Sequence, residues 1–68
     1  MTYDELLSWC RKMVKKPYKL IYDDTYYTKY EWADGTTYEF KIKQLETNCV
    51  SCVKSVFING EKVYEICE

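Results

Sequence analysis

Four cysteines are the residues of this chain whose type and spacing most directly suggest chemistry. Cys49 and Cys52 form a Cys-x-x-Cys pair, the spacing found in zinc knuckles and in thiol redox sites. A zinc ion would also need Cys10 and Cys67, because the chain has no histidine. Two thiols that are three apart on one strand point to opposite faces, so such a site would require a local bulge. We therefore expect no metal ion or other cofactor, and a zinc-stabilised domain is the alternative.

Redox chemistry is the second possibility that these cysteines raise. A thioredoxin-like role is disfavoured, because the Cys49 to Cys52 pair does not open a helix whose N-terminus could lower a thiol pKa. Cys52 and Cys67 face each other in the last predicted hairpin, at a hydrogen-bonded position where the side chains are less close. We expect reduced thiols that act as small apolar side chains.

Other catalytic constellations fit the sequence poorly. Without histidine there is no imidazole base for a nucleophile, and the two glycines do not form a phosphate loop. Asp23 and Asp24 could form a carboxylate pair, but adjacent acids between two strands are typical of a turn. We expect a protein that is not an enzyme and has no catalytic residues.

Length and charge restrict the organisation of the chain. The 68 residues predict one small domain spanning 1–68, with a thin core. Aromatic residues make up 18% of the sequence, and tyrosine serves cores and interfaces alike. The net charge of −1 combines a basic stretch, 1–22, with an acidic one, 23–68. Neither stretch is charged enough to predict strong non-specific binding to phosphate backbones.

The first residues predict a cytosolic protein. They read Met-Thr-Tyr-Asp-Glu, with acids where a signal peptide needs basic residues. No apolar run approaches the roughly 18 residues that span a bilayer, so we expect no membrane association. A reducing compartment also makes disulfides less favourable.

Hydrophobic periodicity predicts an α+β fold, with an N-terminal helix packed on one face of a roughly five-stranded antiparallel meander. Thr2 and Glu5 match a capping box, apolar residues at helical spacing follow, and Pro17 ends the helix. The predicted helix spans 3–15. Turn signals at Asp23-Asp24, Asp34-Gly35, Thr47-Asn48 and Asn59-Gly60 separate strands near 18–22, 26–32, 36–45, 50–58 and 61–67.

Loop length predicts the register of two hairpins. A three-residue loop with a left-handed Gly35 pairs Tyr30 with Tyr38 and Lys29 with Glu39. The same register pairs Thr28 with Phe40 and Tyr26 with Ile42. It gathers one buried face for the helix to cover: Tyr26, Tyr30, Trp32, Tyr38, Phe40 and Ile42.

In the last hairpin, a two-residue type I′ turn at Asn59-Gly60 suits residues that accept positive φ. That register pairs Val56 with Val63, Lys54 with Glu65, and Cys52 with Cys67. It directs Val53, Phe57, Tyr64 and Ile66 toward the core.

One helix covers one face of a sheet, so apolar residues on the other face predict a contact surface. The predicted interaction surface consists of Val56, Ile58, Val63, Cys52, Cys67 and Tyr27. We expect this surface to bind a protein. The partner would be either a host enzyme or complex, or a second copy of this chain. Two interpretations compete: an ordinary, partly exposed strand face, and a helix over 48–57, which would dissolve the surface.

Nucleic-acid binding is a second functional hypothesis, less favoured than protein binding. Basic residues gather at the end of the predicted helix and just beyond it: Arg11, Lys12, Lys15, Lys16 and Lys19. Strand tyrosines could stack on bases. The same charges also suit the helix dipole.

The general look of the chain is similar to small phage or mobile-element proteins that inhibit a host enzyme. It is very short, rich in tyrosine and slightly acidic, with one helix and a meander. The resemblance implies a small inhibitor or regulator of a larger partner, which for a phage-encoded chain would act in the host cytosol. Our leading hypothesis is therefore a protein-interaction domain without enzymatic activity.

Overall fold

The computed structural model describes residues 1–44 and 52–67 and contains one helix followed by a five-stranded antiparallel sheet. The elements in chain order are α1 (Tyr3–Met13), β1 (Tyr18–Asp23), β2 (Tyr27–Trp32), β3 (Thr37–Gln44), β4 (Cys52–Ile58) and β5 (Glu61–Cys67). The strands pair in chain order, so β1 and β5 are the two edges. The predicted α+β meander is confirmed. Within the described residues, no helix is long and apolar enough to cross a membrane.

Helix α1 begins at the predicted capping box. The Thr2 hydroxyl accepts a hydrogen bond from the Glu5 backbone N–H at 3.2 Å, and the Glu5 carboxylate accepts from the Thr2 N–H at 2.7 Å. The bond from the Thr2 backbone N–H holds the pKa of Glu5 below its usual value, because it favours the charged carboxylate. The helix ends at Met13 and not at 15, since a continuing helix would bring the Pro17 ring against the Met13 carbonyl, which accepts from the Lys16 N–H in a tighter turn instead.

The first two turns follow the sequence signals. The Asp24 carboxylate accepts hydrogen bonds from the backbone N–H groups of Tyr26 and Tyr27, at 2.8 and 3.0 Å, which confirms a turn at this position. Gly35 has a φ of 91°, and the pairings of Tyr30 with Tyr38 and of Lys29 with Glu39 are present. The predicted three-residue loop and its register are therefore confirmed.

The last hairpin has the predicted turn but a different register. Asn59 and Gly60 have φ values of 55° and 82°, as a type I′ turn requires. A β-bulge follows this turn: Phe57 pairs with Lys62 and Val56 pairs with Tyr64, so Val63 of β5 has no opposing residue on β4. The pairs beyond it are Val56 with Tyr64, Lys54 with Ile66, and Val53 with Cys67. The predicted pairs Val56 with Val63, Lys54 with Glu65, and Cys52 with Cys67 are wrong.

Strand β4 also presents the opposite face to the one predicted. Val56 pairs with Phe40, and both side chains line a groove against Leu6 and Leu7 of the helix. Val56 is only 4% exposed. Its neighbour Phe57 therefore points away from the helix, because side chains alternate along a strand. The alternative helix over 48–57 is wrong for its described part, since residues 52–57 belong to β4, and 48–51 lie outside the described residues.

The sheet thus has two distinct faces. The helix face, over which α1 lies, carries the alternating residues Tyr18, Leu20, Thr28, Tyr30, Trp32, Tyr38, Phe40, Ile42, Gln44, Cys52, Lys54, Val56, Ile58, Tyr64 and Ile66. The open face carries the residues between them: Lys19, Tyr22, Tyr27, Lys29, Glu31, Thr37, Glu39, Lys41, Lys43, Val53, Ser55, Phe57, Lys62, Glu65 and Cys67. The open face is mainly polar, as expected for an antiparallel sheet that meets water on one side.

Trp32 anchors the helix to the sheet. Its indole N–H donates a buried hydrogen bond to the Met13 backbone carbonyl at 2.9 Å, and its ring meets Trp9 edge-on at 5.6 Å. Trp9 also stacks on Tyr38 at 5.9 Å. In the described part of the chain, the buried apolar residues are Leu6, Met13, Trp32 and Val56, and none of their side chains is completely enclosed. The core is therefore thin, as predicted from the length.

We expect Trp32→Phe to lower the free energy of unfolding by about 1–3 kcal/mol, because it removes the donor to a buried carbonyl as well as packed surface. Trp9→Phe is the matched control, since Trp9 contributes ring contacts to the same cluster. Urea denaturation followed by circular dichroism measures both. Equal losses in the two variants would show that the hydrogen bond adds nothing beyond packing.

Candidate functional site

The structure divides the predicted interaction surface between the two faces of the sheet. Cys52, Val56 and Ile58 lie on the helix face, whereas Tyr27 and Cys67 lie on the open face. The extra residue of the bulge is Val63, which is half-buried. The placement of Val56 on the outer face is wrong, because α1 covers it. These six residues do not form one continuous apolar surface.

The cysteines form no recognisable metal centre among the residues the structure describes. No group of three or more histidine, cysteine, aspartate or glutamate residues lies close enough to hold an ion there. Cys10, Cys52 and Cys67 are free thiols, and Cys49 lies outside the described residues. Burial raises the pKa of the Cys10 thiol, which makes it less nucleophilic.

The basic residues gather at one end of the helix, as predicted. Arg11, Lys12, Lys15 and Lys16 are exposed at the C-terminal end of α1, where cations stabilise the helix dipole. Lys19 follows on the edge strand β1, opposite Glu31. We call these five residues the basic rim.

Large exposed apolar side chains concentrate beside this rim. Val14, Tyr18, Leu20 and Ile21 have exposed fractions of 58%, 48%, 52% and 47%, and we call them the β1 patch. Every residue of β1 is exposed, although four of its six side chains are large and apolar. Exposed apolar side chains grouped in this way mark contact sites in proteins.

The β1 patch borders a shallow groove on the helix face. The groove holds about 160 Å³ and lies between Trp9 and Val14 of the helix side and Tyr18 and Tyr30 of the sheet. Its lining is almost entirely aromatic or aliphatic. Leu20 extends the same surface, because it pairs with Tyr30 on that face. A partner side chain could therefore insert between the helix and the strand edge.

A second apolar groove flanks the other side of the helix. It holds about 390 Å³ and lies between α1 and the last hairpin, with Leu7, Phe40, Tyr64 and Ile66 among its walls. Ile66 is 42% exposed on the second edge strand. The helix therefore leaves apolar surface uncovered on both of its sides.

An aromatic and charged row crosses the centre of the open face. The Tyr27 hydroxyl donates a hydrogen bond to the Glu39 carboxylate at 2.5 Å. The Lys41 ammonium group lies 4.4 Å from the Phe57 ring centroid and 5.7 Å from that of Tyr27. Tyr22 meets Tyr27 at 5.5 Å on the β1 side. We call these five residues the open-face row.

The hydrogen bond to Glu39 changes the titration of Tyr27. It raises the pKa of Tyr27 to about 12, since the neutral phenol is the donor, and partial desolvation and the Glu39 charge act in the same direction. The phenol therefore stays neutral and keeps donating across the physiological range. It holds Glu39 against β2 and leaves Lys41 over the two rings.

Sequence reasoning identified Tyr27 and the basic rim but missed the β1 patch and the row as a unit. The run Leu20-Ile21-Tyr22 breaks the alternation of a half-buried strand, and a bulge between Leu20 and Tyr22 accompanies it. That run is the signal that could have marked β1 as an exposed edge. The row has no comparable signal, because its members come from four strands.

Comparison with known proteins adds no functional assignment. The chain matches no protein-family model, no curated protein and no solved structure. The function is therefore inferred from the chemistry and exposure of the residues of this chain.

We expect Glu39→Gln to lower the pKa of Tyr27 from about 12 toward the ordinary value near 10. Because the folded pKa is the raised one, the hydrogen bond stabilises the fold fully below pH 10, and this contribution is lost as the pH rises toward about 12. Ring signals of carbon-labelled tyrosine in an NMR titration measure the shift. Glu31→Gln, on the same face, is the control and should leave Tyr27 unchanged. An identical Tyr27 titration in both variants would contradict the assignment.

Proposed function

We propose that this chain is a protein-interaction domain without enzymatic activity that acts in the cytosol as a small regulator or inhibitor of a larger partner. The observation that carries the proposal is the β1 patch, in which three large apolar side chains of edge strand β1 and Val14 at the end of α1 are each about half exposed. Natural monomers seldom leave such surfaces together without a contact to make. The contact surface differs from the one predicted from the sequence, because β4 faces the helix.

Burial of the β1 patch alone does not supply the binding free energy of a stable complex. Burying the exposed half of each side chain stabilises a complex by about 1 kcal/mol, or about 4 kcal/mol for the patch. A micromolar complex needs about 8 kcal/mol net. The basic rim lies beside the patch and can supply charged contacts at its border. A partner with an apolar centre and an acidic border complements this arrangement.

The edge strand itself favours contact through side chains over the addition of a partner strand. Pro17 precedes β1, Lys19 places a charge on it, and the bulge at Ile21 interrupts its regular geometry. These are the features by which natural sheets protect an edge from pairing. The partner is therefore expected to lie over the helix face at β1, with a side chain in the groove between Val14 and Tyr18.

Leu20→Glu should abolish partner binding, because it places a like charge against an acidic border and removes a central apolar contact. The matched control is Ile66→Glu, on the same face at the opposite edge, which should retain the partner. Tagged wild-type and variant chains are used to recover partners from the source cells, with quantitative mass spectrometry as the readout. Circular dichroism checks that both variants fold.

The outcome distinguishes the surface from its alternatives. A protein recovered by wild type and Ile66→Glu, but lost with Leu20→Glu, supports the β1 patch. Equal recovery by all three chains contradicts it. Light scattering is run in parallel, since a wild-type dimer that becomes a monomer on Leu20→Glu would make a second copy the partner.

A further inference from the structure

The open face has a charge balance opposite to that of the whole chain. It carries five lysines against three glutamates, whereas the chain as a whole has a net charge of −1. Two of the glutamates are already engaged. Glu39 accepts from Tyr27, and Glu65 accepts from Ser55 and from Lys62, both at 3.2 Å. The face therefore has a local excess of positive charge.

Most of the open-face lysines are available to a ligand. Lys62 forms an ion pair with Glu65. Of the other four, none lies within ion-pair distance of a carboxylate among residues 1–44 and 52–67, although two have glutamates in the opposing register positions. They are Lys19, Lys29, Lys41 and Lys43. These ammonium groups span three adjacent strands, so they can meet several charges of one extended polyanion.

Aromatic rings lie among these cations. Tyr22 is 50% exposed, and Tyr27 and Phe57 are partly exposed at the centre of the face. Lys41 lies over the rings of both Tyr27 and Phe57. A planar base could stack on Phe57 in its place while the ammonium group moves to a neighbouring phosphate. Rings that accept bases among cations that accept phosphates are the combination used to bind single-stranded nucleic acids.

We infer that the open face binds single-stranded nucleic acid, with the open-face row as a stacking surface and Lys19, Lys29, Lys41 and Lys43 as phosphate contacts. This site lies on the opposite side of the sheet from the protein-binding surface. It shares only Lys19 with the site predicted from the sequence, whose other residues lie at the end of the helix. Lys19 belongs both to this site and to the basic rim, and the other residues of the two sites are distinct.

The arrangement favours an extended single strand over a double helix. The row follows the sheet across β1 to β4, and its rings can contact base faces, which are enclosed in a duplex. An acidic protein would pair with the lysines, but it has no bases to stack on the rings of Tyr22, Tyr27 and Phe57. The aromatic part of the site thus distinguishes the two classes of ligand.

The test measures fluorescence anisotropy of a labelled oligothymidine of about ten nucleotides, within the range bound by small single-strand-binding domains. The double variant Lys41→Gln with Lys43→Gln should weaken binding about tenfold at low salt and reduce the salt slope by about 1.4, since each phosphate contact contributes about 0.7. The matched control, Lys12→Gln with Lys15→Gln, removes the same charge from the helix end and should leave affinity within about twofold of wild type.

Stacking is tested separately from charge. Phe57→Leu keeps an apolar side chain but removes the ring, and should weaken oligothymidine binding at least about fivefold. An abasic oligomer of equal length should bind wild type more weakly than oligothymidine and should be insensitive to Phe57→Leu. Circular dichroism confirms folding, and Tyr22→Leu gives a second test of stacking if Phe57→Leu is unstable.

Three results would overturn the inference. The first is no binding of oligothymidine at low salt. The second is an equal or larger loss in the helix-end control, which would place the cations elsewhere. The third is equally strong competition by a polyglutamate peptide of matched charge, which would make an acidic protein the ligand. None of these results bears on the β1 patch, because Leu20→Glu leaves the open face unchanged.

Discussion

An 11-residue helix lies over a five-stranded sheet whose outer strands are about 19 Å apart. The helix is about 16 Å long and about 10 Å wide, so it cannot cover the whole face beneath it. Trp32 of β2 fixes the C-terminal end of the helix on the sheet through the Met13 carbonyl and the ring of Trp9. Both flanks of the same face consequently remain open, and the grooves and the β1 patch lie there.

Tyrosine side chains suit a fold with so thin a core, because they can pack while partly exposed to water. Tyr30 and Tyr38 contribute ring contacts beside the helix while remaining only half-buried, and no side chain in the described core is completely enclosed. A ring with a polar end tolerates this position, where a fully aliphatic side chain would expose only apolar surface. The same property lets Tyr27 fix Glu39 on the open face while presenting its ring.

The two faces suit different ligands because their chemistry is separated by strand alternation. The helix face adds apolar surface at β1, bordered by the basic rim, and suits a folded protein with an acidic border. The open face combines lysines with a few rings and suits an extended polyanion. The two proposals together predict a domain that brings a protein and a nucleic acid together, and Leu20→Glu and Phe57→Leu each test one of the two surfaces.

Local backbone chemistry was determined by the sequence itself: Thr2 and Glu5 began the helix, and Gly35 and Asn59-Gly60 set their turns, because a cap or a positive φ depends on neighbouring residues. Only tertiary structure decided the face of β4 and the register of β5. Both alternate residue sets of β4 contain apolar side chains, so periodicity does not choose between them, and pairing with β3 does. The bulge at Val63 then shifted β5 by one residue, which divided the predicted contact surface between the faces.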